Sequence, residues 1–207
     1  MATSRIRFTK ASQVFETYPD LVDLVPEPQG EMEPETYLAE LRKQDPAFAA
    51  LAYFAHVLPK RESVWWAHQC VVGLQANLSS VETNIMRLAE AWVRDGDEES
   101  REAVQKVTDP MKPDTAPVWV GLAAVWSSGS LSPNPDYRVE TPDDLTAKAV
   151  HTAVLIAVGQ VGPTERKIAI DRCLDAGLMF ARGDSMPPVG LGGTSGAEVL
   201  GTVDGGG

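Results

Sequence analysis

Apolar residues in this chain recur every three or four positions within windows of helical length, and no stretch keeps a period of two for long. Thr9 reads as a helix cap, with Val14 and Phe15 giving the helix to about Thr17 an apolar side. Pro19 resets that helix, 20–25 allow one more turn, and the Pro- and Glu-rich run 26–34 is a loop. Tyr37, Leu38 and Leu41 line one side of a helix from Pro34 to Lys43. Asp45-Pro46 has the form of a cap followed by proline at the first helical position, opening a largely apolar helix to about Leu58. After the Pro59 corner a helix from about Glu62 to Leu74 carries Trp65, Trp66, Cys70 and Val71. Ser79 with Glu82 forms a capping box for a helix that Gly96 stops.

The second half repeats these signals. Asp97-Glu98-Glu99 places acids where a helix N-terminus favours them, for a helix ending near Thr108. Thr115 with Pro117 starts another, on which Trp119 and Trp126 lie seven apart on one face. Residues 129–140 form a loop, and Thr141-Pro142-Asp143-Asp144 opens a buried helix to about Val158. Gly159, Gly162 and Pro163 break it. The last helix runs from about Thr164 to Ala181, with Gly183 as its cap.

Helices joined by short turns predict an all-α fold, a compact bundle of antiparallel helical hairpins. The expected organisation is one helical domain over 1–182 and a flexible Gly-rich tail over 183–207, where nine of 25 residues are glycine. The apolar run 147–161 contains Lys148, His151 and Gln160, so it reads as a core helix and not as a membrane span.

Charge changes the picture in one place. The net charge is −11, which argues against nucleic acid and anionic membranes as partners. The acidity is concentrated: 11–41 holds eight carboxylates and no lysine or arginine. Glu27, Glu31, Glu33 and Glu35 within it are expected to meet a basic protein partner. Trp65 and Trp66, about 100° apart on a helix, are the other expected contacts, because tryptophan dominates interface hot spots.

Candidate chemistry is sparse. Cys70 and Cys173 have no Cys-x-x-Cys spacing and read as buried thiols, and the N-terminus has no apolar signal run, so a cytoplasmic setting is expected. His68 and Cys70 diverge by about 200° and cannot form a local dyad. His56, His68 and His151 would need tertiary convergence to bind a metal. No nucleophile elbow or phosphate loop occurs, and Thr194-Ser195-Gly196 lies in the tail. No catalytic residue, cofactor or metal is expected.

Four segments carry a resemblance: Leu58-Pro-Lys-Arg-Glu-Ser-Val-Trp-Trp-Ala, Ala89-Glu-Ala-Trp-Val-Arg-Asp, Ala124-Val-Trp-Ser-Ser-Gly-Ser-Leu-Ser-Pro and Leu145-Thr-Ala-Lys-Ala-Val. Across about residues 5–182 the chain resembles a family of uncharacterised bacterial proteins encoded near type VI secretion genes, often beside a PAAR-type spike-tip protein. The resemblance implies a non-enzymatic adaptor or chaperone for a spike or effector protein. An immunity-type inhibitor of a basic toxin is the first rival reading. An enzyme with an unrecognised site is the second.

Overall fold

A computed structural model describes residues 4–132 and 136–191 of the chain. Among them it contains nine α-helices and no named strand: α1 (Ser12–Thr17), α2 (Pro34–Leu41), α3 (Phe48–Val57), α4 (Lys60–Leu74), α5 (Ser80–Asp95), α6 (Glu98–Thr108), α7 (Ala116–Val125), α8 (Leu145–Gly159) and α9 (Arg166–Ala181). A 3-10 turn, Pro19–Asp23, follows α1. The all-α bundle is as expected. No helix among the described residues is long and apolar enough to cross a membrane. The tail expected over 183–207 lies outside the described residues from 192 onward.

The boundaries agree with the sequence where a side chain caps the helix. Ser79 accepts from the Glu82 amide, and the Glu82 carboxylate accepts from the Ser79 amide, 2.8 Å away. Asp97 caps α6 by accepting from Ser100 N. They disagree at several helices that no side chain caps. Thr9 does not cap α1. Instead the Gln13 side-chain oxygen Oε1 accepts from the backbone amides of Thr9 and Lys10, and the helix begins at Ser12. Asp45-Pro46 does not open α3 either: the bond is cis, Ala47 is the N-cap residue, and Phe48 N donates to Pro46 O. The starts expected at Thr141 and Thr164 come later, at Leu145 and Arg166, after short turns.

The apolar period decides which faces meet. α8 is apolar nearly all round and sits in the middle, packed on α3, α4 and α7. α5, α6 and α7 pack mutually on one flank, and the solvent faces of α5 and α6 are polar. α9 lies across α3, α4 and α8. Beyond α9, Gly183 takes a positive φ of 101° and reverses the chain. The strap beyond it returns to α4, burying Val189. The strap lies so close that a Cβ at Gly73 would sit 1.3 Å from the Val189 carbonyl oxygen, which only glycine permits.

Candidate functional site

The two adjacent tryptophans part company. Trp66 is fully buried, stands edge-on to Phe54 with ring centroids 4.8 Å apart, and donates its indole N–H to Cys173 O at 2.8 Å. It is a core residue holding α9 to α4, and its expected role as an interface contact is corrected by its burial. Trp65, one helical step back, is half-buried at the surface. Its ring stacks on His68 at 5.2 Å and 13°. His68 is itself held on both sides. Its Nε2 donates to Met86 O at 3.1 Å, which leaves Nδ1 to accept from the Gln69 amide at 3.2 Å. Burial lowers the His68 pKa, so a neutral imidazole supports Trp65.

Trp65 lines a cavity of about 400 Å³ with Phe180 and Val93, and Arg5, Arg61, Arg94, Glu62 and Glu90 complete its wall. Arg5 is placed by α9: its amide donates to Ala181 O at 2.7 Å, its side chain to Phe180 O, and its guanidinium lies 4.0 Å from the Phe180 ring centroid. Arg61 extends past the end of α5. Gly96 caps that end in the left-handed conformation, φ 71°, and a Cβ there would come within 2.7 Å of Arg61 Nη1. A second cavity of about 590 Å³ shares Arg61 and Glu62 and continues past Arg7, Lys60 and Tyr18.

The segment before α1 divides this region from the acidic one. Arg5 and Arg7 line the cavities just described, whereas Ser4 and Ile6 line a separate one beside Glu33 and Glu35; Phe8 borders both sides. Successive residues of an extended segment point to opposite faces, so Arg-Ile-Arg-Phe sorts its cations to one side. Sequence reasoning gave these residues no role. Their alternation was the available signal.

On the acidic side, Glu27, Glu31 and Glu33 are exposed and Glu35 is half-buried. Two are already partnered. Lys10 bonds Glu31 and lowers its pKa, and Arg182 pairs with Glu35 at 2.6 Å. Glu27 and Glu33 make no ion pair among the described residues. Val22 and Leu24, each 48% exposed, lie in the same stretch of chain.

The histidines at 56 and 151 lie elsewhere. His56 shares a hydrogen bond with Ala52 O at 2.8 Å and meets the Tyr18 ring edge-on at 5.2 Å. His151 is buried beside it, its Nε2 without a hydrogen-bond partner, and burial followed by the neighbouring His56 pushes its pKa down to about 4. Neither lines either cavity. Cys70 and Cys173 are free, buried and in contact, and burial raises the Cys70 pKa. Among the described residues no group of three or more His, Cys, Asp and Glu could hold a metal ion.

Residues 37–181 match the Family of unknown function (DUF6931), and because the match spans more than half of the chain, the chain belongs to that family. No curated protein and no solved structure matches it.

Proposed function

We propose that this member of the family is a non-enzymatic accessory protein, an adaptor or chaperone for a type VI secretion spike or effector protein. The observation that carries the reading is the division made by residues 4–9. A preorganised aromatic surface at Trp65 lies on one side, and an acidic surface at Glu33 and Glu35 on the other. Two unlike faces on one helical bundle suit a protein that joins two others. A half-buried tryptophan stacked on a fixed imidazole loses little side-chain freedom on binding, which favours affinity. The exposed acids Glu27 and Glu33, with Val22 and Leu24 nearby in the chain, suit a basic partner with an apolar centre.

The test is capture of spike-tip and effector proteins on the immobilised chain. The reading expects at least one to be retained and to be lost from secretion when the chain is deleted. Retention of none sinks it. Rescue of cells from one cognate toxin, without any effect on secretion, would favour the inhibitor instead.

A further inference from the structure

The chain carries 29 acids against 18 bases, yet the cavity at Trp65 and the one that shares Arg61 and Glu62 with it reverse that balance. Arg5, Arg7, Lys60, Arg61 and Arg94 line them, against Glu62, Glu90 and Asp143. Lys60 pairs with Asp143, and Arg94 with Asp95 outside the cavity. Arg5, Arg7 and Arg61 make no ion pair among the described residues, although carboxylates abound elsewhere on the surface. Arg61 borders both cavities and so occupies the junction. Aromatic rings line the furrow along its length, Trp65 and Phe180 in the first cavity and Phe8 and Tyr18 in the second.

We propose that this furrow receives an extended acidic segment of a partner protein, its carboxylates on Arg61 and Arg5 and an apolar side chain on Trp65. The proposal rests on the reading of the chain as a protein-binding adaptor and names the partner chemistry of its Trp65 face. Charge complementarity selects the acid, since arginine presents paired N–H donors to a carboxylate. The extent selects a chain over a compact anion, because cavities of about 400 and 590 Å³ lie side by side with Arg61 and Glu62 in both walls. The three interspersed carboxylates disfavour a uniform polyanion such as nucleic acid, which would set a phosphate against each of them. A peptide can set acidic and apolar residues along the furrow in turn.

The experiment is fluorescence anisotropy with the full chain and a fluorescein-labelled peptide of about ten residues, carrying glutamates around a central phenylalanine. The comparison probes are its lysine counterpart and a labelled single-stranded oligonucleotide. The glutamate peptide is expected to bind about tenfold or more tightly than the lysine peptide, and to weaken as salt is raised. Arg61→Glu, a surface substitution, is expected to abolish that preference. Trp65→Ala is expected to weaken binding about tenfold while circular dichroism stays helical. No preference for acid, an unchanged preference in Arg61→Glu, or tighter binding of the oligonucleotide overturns the proposal. The adaptor reading fails separately: it falls if no secretion protein is captured by the wild type. The furrow proposal falls if a captured protein is held equally well by Arg61→Glu and Trp65→Ala.

Discussion

His151 stays neutral inside the bundle because burial penalises its charged form, and its neighbour His56 is shifted down chiefly for the same reason. A histidine with a folded pKa near 4 binds fewer protons than the unfolded chain between about pH 6.5 and 4. Stability is therefore complete above about pH 6.5 and falls as the pH drops toward 4. Urea unfolding at about pH 7 and pH 5 should differ by about 2 kcal/mol for His151 alone, with His56 adding in the same direction. His151→Leu should flatten most of that slope and leave stability at neutral pH equal or higher, since Nε2 has no partner to lose. An unchanged slope would contradict the assignment. Trp66 and Trp65 offer a sharper contrast at the same scale. Trp66→Phe leaves the Cys173 carbonyl without its indole donor and a void beside Phe54, and should cost about 2–4 kcal/mol in urea unfolding. Trp65→Ala, at the surface, should cost much less. Sequence spacing alone placed the two indoles about 100° apart, but which of them faced the core depended on where α9 crosses α4, and that is not local information.

The helices show why some boundaries were legible. α5 and α6 begin where an oxygen of Ser79 or Asp97 satisfies a first-turn amide, a pattern written in consecutive residues. α1, α3, α8 and α9 begin without a side-chain cap, so packing and turns set their starts, and the Thr and Asp-Pro signals nearby misled by a few residues. Ser79→Ala should therefore destabilise by about 1 kcal/mol. Gly96→Ala should cost a similar ~1 kcal/mol through its left-handed φ and also displace Arg61. Peptide binding at the furrow and thermal stability should thus fall together in Gly96→Ala. In Ser79→Ala only stability should fall, and anisotropy beside thermal melts separates the two.

Across the whole molecule, net charge was a poor guide to local charge. The acidic stretch 11–41 was plain in the sequence because it is contiguous, yet the structure ties Glu31 and Glu35 to Lys10 and Arg182. The basic furrow went unread because its residues come from separate parts of the chain: the segment before α1, Tyr18 after it, the corner between α3 and α4, the end of α5, Asp143 before α8 and the end of α9. Only the folded bundle brings them together beside Trp65. The folded molecule therefore carries opposite charge on the two sides of one short segment. That arrangement is most directly tested by mixing the chain with a spike-tip protein and an effector and measuring the mass of the complex by light scattering. A ternary complex, lost to one partner by Arg61→Glu and to the other by reversing Glu27 and Glu33, is the predicted result. Two partners that exclude each other, or a chain that stays alone in their presence, would contradict it.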